Sequence, residues 1–162
     1  MGVAVVIWLI AIPLLGLATG LRSMTPIAIV CWFAYHGDLS VEDSWAAWSG
    51  HLVSPIIFTV LALGELIVDK LPKTPNRTDP GPLAVRLLAG GLVGALAATG
   101  LQGAVLEGIL LGIIGVLVGA FGGYQVRREL VYRYEWKDWH FALMEDAIAV
   151  VGSIIAMGFV TA

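Results

Sequence analysis

Long apolar stretches are the feature that most constrains the fold of this chain. A bilayer core of about 30 Å requires about 20 apolar residues per helix. Five stretches reach or nearly reach that length: 2–19, 52–69, 83–101, 103–122 and 139–161. The last of these has acidic residues in its first turns. Only 13% of the residues are charged, and the mean hydropathy is +0.90. The sequence therefore predicts an all-α, polytopic membrane bundle that forms one domain over residues 1–162.

The segment 26–36 decides the number of spans, because it is too short for an ordinary crossing. It is either a short tilted span, which gives six helices, or a re-entrant piece beside five. Lys and Arg in short loops set the orientation of a membrane protein. The loop 37–51 holds acids and no base, whereas 70–86 and 123–138 hold all the bases except Arg22. Six spans place Arg22 with them, so we expect six spans, a cytoplasmic basic side and both termini outside.

Four carboxylates are predicted to lie near the cytoplasmic ends of the helices. Glu65 and Asp69 are spaced i, i+4 and share one helix face, and Glu145 and Asp146 lie in the first turns of the last helix. Ionisable groups inside a membrane are costly and usually face the bundle interior or a water-filled cavity. These residues are therefore candidates for proton or cation coupling, and four carboxylates at one depth could also hold a divalent cation such as Mg²⁺. The alternative is structural pairing with Arg22, Arg86 or Arg127, which would hold the helices together.

The segment 20–26 interrupts the first apolar run with a base, two hydroxyls and a proline. Ser23 or Thr25 could cap the next helix, with Pro26 in its first turn. The free N–H groups of that helix, with Arg22 beside them, are suited to binding an anion. A plain helix cap beside an interfacial arginine is the alternative.

The loop 69–82 contains four prolines, which favour an extended and rather stiff path. Its bases, together with Thr78, could close over a phosphate-bearing ligand. The same bases could instead satisfy the positive-inside rule and contact anionic lipid headgroups. The residues concerned are Lys70, Lys73, Arg77 and Thr78.

Glycines recur through the fourth and fifth predicted helices. The pairs Gly108/Gly112 and Gly115/Gly119 give small-xxx-small faces, which favour close helix packing within the protomer or in a homo-oligomer. The run from Gly119 to Arg127 is interpreted as the end of its helix.

Other chemistry finds little support in the sequence. The single Cys31 excludes an intramolecular disulfide and a multi-cysteine metal site. The three histidines are far apart in sequence, and no zinc-protease or serine-hydrolase motif is present. With a net charge of −3 the chain is not expected to bind nucleic acid.

Several polar motifs resemble the small bacterial membrane proteins grouped as domain of unknown function 4126. They are Gly16-xxx-Gly-Leu-Arg-Ser-Met-Thr-Pro26, Gly64-Glu65 with Asp69-Lys70-Leu-Pro-Lys-Thr-Pro75 and Arg77-Thr78, Gly119-xx-Gly-Gly-Tyr124 with Arg127, and Glu145-Asp146. The resemblance runs over most of the chain and implies a bacterial inner-membrane location. It brings no activity with it, but it marks the polar residues that the physical argument selects.

Three hypotheses follow. The first is a transporter or channel-like protein that binds a small or lipid-linked anion, with Arg22, Arg77 and Arg127 as anion ligands and Glu65 and Glu145 as coupling groups. The second is a Mg²⁺-dependent enzyme acting on phospholipid or polyprenyl-phosphate headgroups. The third is a structural or partner-binding membrane protein whose charged residues are paired with one another.

Overall fold

The computed structural model describes residues 2–69, 76, 78–133 and 138–161, and within them the side chains other than those of 2–5, 132 and 138. These residues form six α-helices and one short 3₁₀ helix, so the predicted all-α class is confirmed. The helices are α1 (Gly2–Leu21), α2 (Met24–His36), α3 (Val53–Val68), α4 (Pro80–Gly100), α5 (Val105–Arg133) and α6 (Asp138–Thr161), with the 3₁₀ helix at Ala47–Gly50.

Three of the described helices are long and apolar enough to cross a membrane. They are Pro80–Gly100, Val105–Val131 and Trp139–Thr161. The shorter apolar helices are Val6–Leu21, Met24–His36 and Val53–Val68. Many large apolar side chains on α3, α5 and α6 are exposed, as expected for helices that face lipid rather than water. Together these observations indicate an integral membrane protein.

Consecutive helices alternate in direction between two ends of the bundle. Gly16 and Gly20 of α1 pack against successively later residues of α5, so these two helices are parallel, whereas Gly90 and Gly94 of α4 meet α5 in the reverse order. We call the end at which α1 gives way to α2 the charged end. Leu39, just after α2, contacts Gly100 at the opposite end. The segment 26–36 therefore does not turn back to the end at which it begins, as a re-entrant piece would.

The predicted end of the fifth helix is wrong. The helix α5 continues to Arg133, so Arg127, Arg128 and Arg133 lie on a helix and not in a loop. The paired glycines before Arg127 were interpreted as a stop signal, but glycine weakens a helix by only about 1 kcal/mol. Counted from Ala120, which lies level with the end of α1, α5 projects about 20 Å further.

The start of α4 is also earlier than predicted. It begins at Pro80 rather than at residue 83. Proline is tolerated at the first helical position because its missing N–H would have no partner there, and its fixed φ suits the helix. The result is that Arg86 lies almost two turns inside α4.

Glycine contacts hold α1, α4 and α5 together at close range. Gly94 faces the backbone of Gly108, Gly90 faces that of Gly112, and Gly115 meets the backbone of α1. A Cβ atom at any of these positions would overlap a neighbouring helix. The predicted close packing through small residues is confirmed within the protomer, while the homo-oligomer remains a prediction.

Adding one methyl group tests this packing. Gly94→Ala places a Cβ against the carbonyl oxygen of Gly108, and overpacking of this kind typically costs about 1–3 kcal/mol. We expect a lower midpoint of thermal unfolding in detergent. The matched control is Gly152→Ala on α6, where a Cβ meets no atom within 4 Å. Equal unfolding midpoints for the two variants would contradict the packing.

Candidate functional site

The polar site is built around Arg22, in the two-residue break between α1 and α2. Its side chain is 2% exposed, and its Nη1 and Nε donate to Asp69 and Asp146 respectively. The Nε–Oδ1 distance to Asp146 is 2.7 Å. Asp69 directly follows α3 and Asp146 lies on α6, so one guanidinium joins α3 and α6 to the α1–α2 break. A buried charge of this kind is tolerated only when it is paired and hydrogen-bonded.

The carboxylate of Glu65 lies on the N-terminus of α2. Its two oxygens accept hydrogen bonds from the backbone N–H groups of Ser23 and Met24, at 2.8 and 2.9 Å. These N–H groups begin the helix and have no intrahelical acceptor, and the helix dipole adds favourable positive potential there. The N–H groups that the sequence offers to an anion therefore bind a carboxylate of the protein itself, and the anion site remains a prediction.

The predicted cap of α2 is wrong. Ser23 has helical dihedral angles and makes no side-chain capping bond, and Thr25 is buried within the first turn. A capping residue normally has extended dihedral angles, which let its side chain reach back to the helix N–H groups. Glu65 from α3 takes that role instead, so the cap depends on tertiary packing.

Arg86 is not among the predicted ligands, although the structural alternative includes it among the arginines that pair with the carboxylates. It is 5% exposed, and its Nη1 donates to the carbonyl oxygens of Gly20 and Leu21 at 3.1 and 2.9 Å, which places a cation at the C-terminus of α1. Its Nη2 lies 3.9 Å from Oε1 of Glu65. The sequence assigned Arg86 to a basic loop. Its position within the apolar run 83–101 was the signal that could have identified it.

The other predicted site residues lie at different distances from this cluster. Glu145 precedes Asp146 on α6 and is 2% exposed. Tyr124 and Arg127 lie on α5 beyond Ala120, and the half-buried Thr78 comes just before α4. Three predicted ligands lie outside the described residues: Lys70, Lys73 and Arg77.

The predicted metal ligands are Glu65, Asp69, Glu145 and Asp146. Asp69 and Asp146 point at a guanidinium, and Glu65 points at backbone N–H groups. Within the described parts of the chain, no three His, Cys, Asp or Glu residues are grouped as metal ligands. The divalent cation remains a prediction without a preformed ligand set among these residues.

A comparison with protein families identifies one family whose sequence pattern the chain shares. The family described as domain of unknown function 4126 matches residues 9–160. The chain belongs to this family. The predicted resemblance is thereby confirmed, and the match includes every residue of the polar cluster. No curated protein and no solved structure matches the chain.

Removing the central cation should destabilise this family member strongly. Arg22→Met leaves Asp69 and Asp146 without their charge partner, and breaking a buried ion pair costs about 3–5 kcal/mol. Because these carboxylates are 24% and 15% exposed, we expect a loss near the lower end of that range. The measurement is thermal unfolding in detergent, with Arg128→Met, on the exposed side of α5, as the control.

A second variant separates the effect of the lost charge of Arg22 on stability from the effect of its changed side-chain shape. Adding Asp69→Asn and Asp146→Asn to Arg22→Met removes the uncompensated charges, so most of the lost stability should return. If Arg22→Met and Arg128→Met unfold at the same temperature, the ion pairs do not hold the helices together.

Proposed function

We propose that this protein is a six-span transporter of the bacterial inner membrane, which carries a small or lipid-linked phosphate-type anion together with a proton. The charged end faces the cytoplasm in this proposal. Two observations support the orientation: the helices alternate in direction, and Arg127, Arg128 and Arg133 extend α5 beyond the charged end, while the acidic loop 37–51 lies at the other. Three long apolar helices support the membrane location.

The observation that carries the transport proposal is the position of Glu65. Two backbone N–H groups bind its carboxylate at 2.8 and 2.9 Å, and the buried Arg86 is 3.9 Å away. Helix N-termini with a nearby arginine are typical binding sites for phosphate. Glu65 thus occupies the position of an anionic ligand, as an internal substitute for it.

Proton coupling follows from competition for these donors. An anion from solution and the Glu65 carboxylate cannot occupy the same two N–H groups at once. Protonation removes the charge of Glu65 and weakens its hold on the site, so the anion binds best when a proton is also bound. By linkage, each ligand raises the affinity for the other to the same extent. One proton and one anion are then carried in the same direction.

A structural role is the second candidate, and the mutual pairing of the charges favours it. Arg22 joins α3 and α6 to the α1–α2 break, and Glu65 caps α2. In that case the cluster serves stability alone, and neutralising Glu65 changes the unfolding temperature without any effect on transport.

Phosphate uptake into vesicles tests the transport proposal. The purified protein is reconstituted in liposomes, and uptake of radiolabelled phosphate is followed with the outside more acidic than the inside. We expect uptake above that of protein-free vesicles, which a protonophore abolishes. In Glu65→Gln, phosphate exchange between equal pH values should persist, while the response to the pH gradient should fall to the part that phosphate itself produces, because an amide side chain cannot carry the coupled proton.

Glu107→Gln is the matched control, since Glu107 is an exposed acid at the opposite end of the bundle. This control retains the titration of phosphate itself and should behave like the unaltered protein. Uptake no greater than in empty vesicles would remove the transport proposal. The same pH response in Glu65→Gln and Glu107→Gln would remove Glu65 as the coupling group.

A further inference from the structure

The helix α3 covers the donors of the anion site with one face and leaves the other face open. Residues Pro55, Phe58, Thr59, Ala62, Glu65 and Asp69 recur at helical spacing on the face that packs against the bundle. Only two of the sixteen residues of α3, Pro55 and Ala62, are fully buried. The opposite face is apolar and exposed. It includes Leu63, Ile67 and Val68 near the charged end.

The two halves of α3 are attached by different kinds of contact. In the first half, Thr59 accepts a hydrogen bond from the Trp32 indole at 3.0 Å, and Phe58 packs against Trp48. In the second half, the buried Ala62 is joined by two polar attachments, and both are carboxylates. Glu65 binds the start of α2, and Asp69, which follows the last helical residue, binds Arg22. Loss of the two charges would therefore loosen the second half and spare the first.

The groups beneath the second half are donors that an anion would use. They are the N–H groups of Ser23 and Met24 and one nitrogen of Arg22. Asp146 holds the other side of Arg22 from α6, and Arg86 approaches Glu65 from α4. These donors belong to α2, to the α1–α2 break and to α4, so they would not move with α3. They lie at the charged end of the seam, which is the line of contact between α2 and α3 that includes Phe58 and Ala62.

We propose that the second half of α3, residues 61–69, is a lid hinged near Thr59, and that it opens toward the bilayer to admit a phosphate headgroup carrying an alkyl chain. The headgroup takes the place of the Glu65 carboxylate, and the chain lies along the seam beside Ala62 and Phe58. This inference rests on the proposed function, because it names the class of anion that the same site binds.

Distance measurements between spin labels test the lid. Labels are placed at Ile67 on α3 and at Leu88 on α4, both exposed, in the full chain with Cys31→Ala in lipid nanodiscs. The reference pair is Val53 and Leu106, at the opposite ends of α3 and α5. With Glu65→Gln and Asp69→Asn combined, the first distance should lengthen by several ångströms and the second should not change. Glu107→Gln with Asp43→Asn is the matched control, because both are exposed acids at the opposite end.

The class of anion is tested on the chain with its natural carboxylates. Decyl phosphate should lengthen the distance between Ile67 and Leu88 at a lower concentration than inorganic phosphate does, because its alkyl chain adds contacts along the seam. The uncharged decyl maltoside should leave the distance unchanged. If inorganic phosphate lengthens the distance as effectively as decyl phosphate, or if neither compound changes it, the proposal that the site binds an alkyl phosphate is wrong. If the double neutralisation leaves both distances unchanged, or lengthens both equally, the lid is wrong. Vesicle uptake tests the transport proposal separately, so failure of either is recognised on its own.

Discussion

The burial of Arg22 is the constraint on which the charged end depends. A guanidinium that is 2% exposed in an apolar bundle requires charge partners, and the fold supplies one from the end of α3 and another from α6. Satisfying this one residue therefore brings the end of α3 and an inner turn of α6 to the α1–α2 break. The glycine contacts allow α1, α4 and α5 to pack closely. Arg22 determines which residues of α3 and α6 meet at the charged end.

The same end shows how helix dipoles and side-chain charges can compensate each other. Arg86 places a cation on the last carbonyls of α1, and Glu65 places an anion on the first N–H groups of α2. Two helix ends of opposite polarity meet within a few residues, and each receives the complementary charge from a different helix.

Much of the site was predictable because successive membrane-spanning helices alternate in direction. This alternation determines which helix ends lie on the same side of the membrane. Arg22, Glu65, Asp69 and Asp146 were selected in this way, and the structure brings them together. The sequence also indicates arginine partners for the carboxylates, but not which carboxylate meets which donor. Glu65 and Asp69 share a helix face, and only the three-dimensional approach of α3 decides that one meets backbone N–H groups and the other a guanidinium.

The wrong predictions for α5 and Arg86 share one cause, which is that both concern the position of a helix boundary. The glycines and bases near residue 123 indicated a helix end, although a helix can continue through glycine and project its arginines sideways. Arg86 was counted as a loop base because positive charge usually marks a loop in such proteins. The position of Arg86 in an apolar run could indicate its burial, but not its partners, because the carbonyl groups that it meets lie 65 and 66 positions away.

The wide sequence separation within the Arg22 cluster has a consequence for synthesis of the chain. The partners of Arg22 lie 47 and 124 residues further along. During insertion at the ribosome, the first helical hairpin therefore emerges with an unpaired cation. This cation has to remain at the lipid surface or within the insertion machinery until α3 is inserted and brings Asp69. Both carboxylate partners are in place only after α6 has joined, so the Arg22 cluster forms late among the contacts of these six helices.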